Sequence, residues 1–168
     1  NAGAYGSELK DIVCAVSGIN QKGDPVRFEK CDLSFRYRGS SLQDEGIIVT
    51  RVEYILKKGI HDEIISVMED FARRRKEKQP VELPSAGSTF KRPEGYYAAA
   101  LIEDCNLKGY SVGMAEVSTK HAGFIVNKGG AGAGEIKKLI DEVIDRVYKA
   151  SGVRLEPEVI MLGDFETT

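Results

Sequence analysis

Pro84 and Pro93 bracket the stretch Pro84-Ser85-Ala86-Gly87-Ser88-Thr89-Phe90-Lys91-Arg92-Pro93. Proline fixes φ, lacks an N–H and disfavours helix in the residue before it, so no regular helix runs through this segment. Small and hydroxyl-bearing residues come first, then Phe90 and a Lys91-Arg92 pair. Gly87 permits backbone conformations and close approaches that a side chain forbids. Ser88 can therefore stand close to a ligand, with cationic side chains three and four residues further on.

The chain has 168 residues, which suits one domain or two small ones. An apolar fraction of 42% and a charged fraction of 30% allow a buried core under a soluble surface. A net charge of −2 argues against a general nucleic-acid binder. No apolar run is long enough to cross a membrane, and no charged stretch followed by an apolar one marks a leader at the start. Cys14, Cys31 and Cys105 are far apart and show no CxxC spacing, which predicts reduced thiols and a cytoplasmic setting. The opening Asn1-Ala2-Gly3-Ala4-Tyr5-Gly6 reads like the inside of a loop, so the chain is expected to be a piece of a longer protein.

Residues 11–17 read as a buried strand, 20–25 as a turn and 26–29 as the return of a hairpin. The segment Ser34-Phe35-Arg36-Tyr37-Arg38-Gly39-Ser40-Ser41 interleaves cations and aromatics. It fits either an edge strand with outward arginines or an anion site in which Arg38 faces a Gly-Ser-Ser loop. Residues 46–56 form the strongest strand pattern in the chain, rich in β-branched side chains. A helix is predicted over 62–78 from the spacing of Ile64, Ile65, Met68, Phe71 and Ala72, with acidic residues at its start and the Arg73-Arg74-Arg75-Lys76 run near its end. That basic run reads as a solvated helix end, because it is short and the whole chain is acidic.

Further on, 97–105 predicts a short Ala-rich helix stopped by Asn106 and Gly109. Strands are predicted over 110–117 and 121–127. The glycine-rich segment 128–134 leads into a helix over 135–150 with the apolar stripe Ile136, Leu139, Ile140, Val143, Ile144 and Val147, terminated by Gly152. A last strand is expected over 153–162, at an edge or bent because Pro157 interrupts it.

Several sites compete. The glycines of 129–134 invite a phosphate cradle at a helix start, but they lack the GxGxxG spacing and a strand-helix-strand context, so a flexible lead-in to the helix is the preferred reading. His61 and His121 have no ligand spacing to another His or Cys, so no metal is expected, and His121 is read as a supporting residue. No GxSxG elbow surrounds Ser88, which speaks against a hydrolase nucleophile. A hydroxyl (Ser88), a guanidinium (Arg38) and a carboxyl (Glu158) remain as groups that suit one reaction.

Five blocks then occur in order: residues 1–6, Tyr37-Arg38-Gly39-Ser40, Gln79-Pro80 with 84–93, Val117-Ser118-Thr119-Lys120-His121-Ala122-Gly123-Phe124-Ile125-Val126-Asn127, and Leu155-Glu156-Pro157-Glu158-Val159. The ordered set resembles the UDP-N-acetylenolpyruvoylglucosamine reductase family, and Pro-Ser-Ala-Gly-Ser with Lys-Arg-Pro resembles its shorter, type II branch. The resemblance implies an α+β chain. Residues 1–56 would be the C-terminal part of a PCMH/VAO-like FAD-binding domain, and 57–168 a substrate-binding domain. It implies an FAD enzyme that takes hydride from NADPH and reduces UDP-N-acetylglucosamine enolpyruvate to UDP-N-acetylmuramate for peptidoglycan synthesis. It further implies a cytoplasmic monomer acting on a small molecule, with no nucleic-acid or membrane partner. By the same resemblance Arg38, Ser88 and Glu158 are the catalytic residues. Asn1, Ala2, Gly3, Ala4, Tyr5 and Ile48 are cofactor-binding, and Tyr37, Lys78 and Lys91 are substrate-binding. The family's opening segment, with its phosphate loop for FAD, has no counterpart in these residues, and Arg92 stands where many relatives carry Asn. The alternative expectation is a non-catalytic nucleotide-sugar-binding fragment without FAD.

Overall fold

The computed structural model describes residues 1–165 and mixes helix with sheet. The last three residues of the expected second domain, 166–168, lie outside the described residues. The chain divides into two compact units, Asn1–His61 and the residues from Asp62 onward.

In the first unit, Tyr5 and Gly6 take φ of 51° and 83°. Positive φ at both central residues suits a two-residue hairpin turn. It joins β1 (Gly3–Ala4) to β2 (Ser7–Glu8), with Ala4 opposite Ser7. Next comes a three-stranded antiparallel sheet of β3 (Val13–Ile19), β4 (Pro25–Glu29) and β5 (Ile48–Tyr54) in the order β4-β3-β5. The Asn20 side chain holds the β3–β4 turn by accepting the N–H of Lys22 at 2.9 Å and of Asp24 at 3.0 Å. The expected strand and hairpin are therefore present. Val13 and Val16 from β3 pack with Leu33 to form the small core. Despite its β-branched composition β5 is largely exposed, because it occupies the edge of this sheet.

The edge strand considered for 34–41 does not form. A 3-10 turn, Lys30–Leu33, ends at Ser34 with φ of 39°. The chain then reverses through reciprocal backbone bonds between Arg36 and Gly39, at 3.0 and 3.2 Å. Arg38 sits inside that reversal at φ 54°, a conformation incompatible with a strand. A short helix, α1 (Ser41–Asp44), follows, and the Gln43 side chain accepts the Ser40 N–H at 3.0 Å.

The second unit opens with α2 (His61–Lys78). None of its residues is buried: Phe71 is half-buried, and Ile64, Ile65, Met68 and Ala72 of the expected stripe are exposed. Its basic run is a solvated helix end, as expected, since Arg73 pairs with Asp70 and Glu77, and Arg74 with Asp70, at helical spacing. β6 (Ser85–Ser88) belongs to a four-stranded antiparallel sheet with β7 (Ser111–Val112), β8 (Ala115–Val117) and β9 (Phe124–Asn127), in the order β6-β9-β8-β7. The single strand expected over 110–117 is instead a hairpin, because Gly113 takes φ of 56° and reverses the chain. The strand expected over 121–127 starts only at Phe124, whose N–H closes a turn onto the His121 carbonyl at 3.0 Å.

Two helices complete the unit: α3 (Ala98–Asp104) and α4 (Ala133–Ser151). Asn106 and Gly109 terminate the first with φ of 54° and 78°, and Gly152 ends the second at 72°. Leu139, Ile140, Val143, Ile144 and Val147 of α4 are buried against α3, β8 and Leu155. Each such side chain contributes about 1.5–3 kcal/mol over its exposed state. No strand forms over 153–162. One bridge, Phe90 to Pro157, is the extent of regular pairing there, and Pro157 has no N–H with which to extend it.

Candidate functional site

The geometry of the second unit gathers around the end of β6. Ser85 pairs with Val126 and Ser88 with Phe124, so two β6 residues face Ile125 alone. This is a β-bulge, and Gly87 lies in it at φ 84° with nothing within 4 Å of where a Cβ would be. Room is therefore available at Gly87, and its positive φ is what other residues would resist. Ser88 is exposed, and its hydroxyl donates to the Phe90 carbonyl at 3.4 Å.

Glu158 reaches the same place from the C-terminal segment. Its backbone N–H donates to the Thr89 carbonyl at 2.8 Å, and Lys91 N–H donates to the Glu156 carbonyl at 2.8 Å. Residues 89–91 and 156–158 therefore run side by side, with Ser88 one residue from the junction. Two of the three expected catalytic residues, Ser88 and Glu158, are thus brought together by backbone bonding. Lys91, expected to bind substrate, forms an ion pair with Glu156. Lys91 and Glu156 also line a polar cleft of about 340 Å³ with Arg92, Arg154 and Tyr96, and the Arg92 guanidinium lies 4.0 Å over the Tyr97 ring. Lys78 is exposed at the end of α2.

Arg38 belongs to the first unit. It lies 5.1 Å over the Tyr37 ring, and its Nη1 donates to the Gly3 carbonyl at 3.5 Å. Tyr37 is 57% exposed. Asn1 ties the opening hairpin to the same turn, donating to Glu8 Oε2 at 2.8 Å and to the Arg36 carbonyl at 3.0 Å. Ala2 accepts the Leu9 N–H at 2.9 Å. Five of the residues expected to bind cofactor, Asn1 to Tyr5, therefore form one hairpin beside Arg38. Ile48, the sixth, is 67% exposed on the edge strand β5.

His121 is half-buried. Its Nδ1 accepts the Gly123 N–H at 3.1 Å, and its ring meets Phe124 edge-on with centroids 5.0 Å apart. Burial holds its pKa below the ordinary histidine value, and Lys108 pushes the same way. The supporting role expected for it fits these contacts.

Three amides of the glycine-rich lead-in to α4 are taken up by side chains. Asn127 Oδ1 accepts from Gly129 and Ala131 at 2.9 and 3.0 Å, and Glu135 accepts from Gly132 at 3.1 Å. Those three donors are therefore already engaged within the chain. A surface cavity of about 860 Å³ at the start of α4 is lined by none of Ser88, Lys91 or Glu158. Among the described residues no group of three or more His, Cys, Asp or Glu could hold a metal ion, and no helix is long and apolar enough to cross a membrane.

Sequence reasoning passed over Thr89. It is 3% exposed, and its hydroxyl accepts the buried Ile125 N–H at 3.1 Å. The available signal was its place between a candidate hydroxyl and a buried aromatic, but the bond that it makes depends on pairing with a distant strand.

A family described as UDP-N-acetylenolpyruvoylglucosamine reductase, C-terminal domain, matches residues 79–162, half of the chain. A protein of that reductase name from Agathobacter rectalis is 48% identical over 165 residues, which cover 98% of this chain and 52% of the relative. One from Clostridium novyi is 48% identical over 164 residues, covering 98% of this chain and 53% of its own length. The crystal structure of UDP-N-acetylenolpyruvylglucosamine reductase from Thermus caldophilus superposes with a TM-score of 0.79 at 37% identity, over 94% of this chain and 56% of that one. The chain spans about half the length of these relatives. It belongs to the UDP-N-acetylenolpyruvoylglucosamine reductase family.

Proposed function

We propose that this chain carries the catalytic residues of a cytoplasmic reductase that converts UDP-N-acetylglucosamine enolpyruvate to UDP-N-acetylmuramate in peptidoglycan synthesis. FAD is its cofactor and NADPH its reductant. The reading is supported by family membership and by one geometric observation: the Glu158 N–H bonded to the Thr89 carbonyl, one residue from Ser88.

The residues of the first unit fit a flavin in kind. The hairpin of residues 1–5 lies beside a guanidinium, and Tyr5 and Ile48 expose apolar surface that a flat ring could cover. Bound flavin would supply hydride to the terminal carbon of the enol ether. As that happens, negative charge develops on the adjacent carbon and its carboxylate. Arg38 takes the carboxylate in a paired, charge-assisted contact, helped by Tyr37 in holding the substrate. Ser88 gives its proton to the adjacent carbon. A serine hydroxyl is a weak acid, but an enolate-like carbon is basic enough to accept from it. Glu158 contributes the carboxyl group of the site, carried to the neighbourhood of Ser88 by its backbone bond to Thr89. Lys78 and Lys91 contribute positive charge for the nucleotide part of the substrate.

The test separates two half-reactions in the full-length protein by stopped-flow flavin absorbance. Flavin reduction by NADPH needs no proton at the substrate carbon, whereas reoxidation by the enolpyruvyl sugar does. Ser88→Ala is expected to keep the first near normal and slow the second about a hundredfold or more. Ser85→Ala, three residues earlier, is expected to change neither. Reoxidation at the normal rate in Ser88→Ala would remove Ser88 from the chemistry.

A further inference from the structure

We propose that Thr89 is the positioning residue for the proton-transfer step, holding Ser88 and Glu158 in register through its hydroxyl and both backbone groups. The inference rests on the reductase reading and adds to it a residue with no direct chemistry of its own.

Three bonds converge on this buried residue. Its N–H donates to the Gly123 carbonyl at 2.8 Å, its carbonyl accepts the Glu158 N–H at 2.8 Å, and its hydroxyl accepts the Ile125 N–H at 3.1 Å. The third bond ties Thr89 to β9 beside the bulge. Between the pairs Ser85–Val126 and Ser88–Phe124 the register shifts, and there the buried Ile125 N–H donates to the Thr89 hydroxyl. The Thr89 Oγ1 thus adds a side-chain acceptor from the residue that follows the bulge. The hydroxyl braces β6 where it carries its extra residue, and the bulge sets the backbone at Ser88.

The alignment has little slack. Phe90, next along, is 3% exposed and bridges to Pro157, so 88–90 and 156–158 cannot slide without breaking buried contacts. On the β6 side, however, a cavity of about 300 Å³ borders Thr89, Ser85, Ile125 and Val159. A β6 end released from Ile125 has room to shift into it. A displacement of about 1 Å at a reacting group can cost on the order of a hundredfold in rate.

The experiment uses the full-length holoenzyme with Thr89→Val, Thr89→Ser and Ser88→Ala, followed by stopped-flow of both half-reactions. Valine keeps the shape of threonine and lacks the acceptor. Thr89→Val is expected to slow reoxidation by the enolpyruvyl sugar roughly tenfold to a hundredfold, with flavin reduction by NADPH within about twofold of normal and KM nearly unchanged. Thr89→Ser, which keeps the hydroxyl, is expected to restore most of the rate. Added to Ser88→Ala, Thr89→Val is expected to slow reoxidation little further, because the group it aims is gone. If Thr89→Val does not fold, Thr89→Cys, of similar size with a weaker acceptor, is expected to fold and show a smaller loss in reoxidation alone. Full-rate reoxidation in Thr89→Val or Thr89→Cys beside a slow Ser88→Ala overturns the inference and leaves the reductase reading standing. Equal slowing of both half-reactions overturns it as well. A full-rate Ser88→Ala overturns both.

Discussion

The backbone N–H of Gly123 points at Nδ1 of His121 across 3.1 Å, so this bond exists only while that nitrogen is unprotonated. Burial depresses the pKa of the ring, with Lys108 adding to the effect and Glu103 opposing it. A histidine titrates near 6.5 in an unfolded chain. Since the folded value is lower, the unfolded chain binds more protons between the two values. The associated stability is therefore full above about pH 6.5 and is lost as pH falls through 6.5 toward the folded pKa. Denaturant midpoints compared at about pH 7 and pH 5 are expected to drop on acidification, and to drop less in His121→Gln. An equal drop in both proteins would mean that His121 does not carry the pH dependence.

Arg38→Lys is expected to be a severe change. A lysine cannot make a planar paired contact with a carboxylate, and Arg38 also spans to the Gly3 carbonyl. In the full-length protein turnover is expected to fall about a hundredfold, more than substrate affinity does. Near-normal turnover in steady-state assays would leave Arg38 a purely structural part of the turn at 36–39.

The chain by itself is expected to bind FAD weakly. Its first unit offers the hairpin of residues 1–5, whose Asn1 side chain is engaged by Glu8 and the Lys10 N–H, and the edge of β5, while the relatives it matches are about twice as long. Tight, saturable binding in a fluorescence titration of the 168-residue chain would contradict this.

Stability is expected to be concentrated in α4 rather than α2. Leu139 is fully buried, so Leu139→Ala is expected to cost about 2–5 kcal/mol in urea unfolding of this chain. Ile64 on α2 is 47% exposed, and Ile64→Ala is expected to stay within roughly 0.5 kcal/mol. Comparable losses from the two substitutions would show that α2 is packed in solution.

Local signals were legible where the answer is itself local. The stripe of α4, its Gly152 stop and the β3–β4 hairpin follow from spacing and turn chemistry within a few residues. The same spacing also found α2, although none of its residues is buried. Periodicity reports the shape of a face and says nothing of what covers it. Around Arg38 the alternation of cations and aromatics left an edge strand and an anion site both open, because the positive φ of Arg38 has no compositional signature. Ser88, Glu158 and Arg38 could be nominated by residue type and by resemblance. The backbone bond that brings Glu158 to Thr89 spans 69 positions and is a property of the folded sheet edge.

Asn127 carries one more consequence. Its side-chain oxygen receives two amides of the following loop, its side-chain nitrogen donates to the Ala131 carbonyl at 3.1 Å, and its backbone N–H donates to Pro84 at 2.9 Å. A run of glycines is ordinarily the most rapidly exchanging part of a chain, yet here one amide group acts as a clasp on it. In hydrogen–deuterium exchange Gly129 and Ala131 should report as slow positions beside the fast amide of Gly130. Because the same residue grips Pro84, the loop before α4 and the start of β6 should loosen together, as one unit of local unfolding.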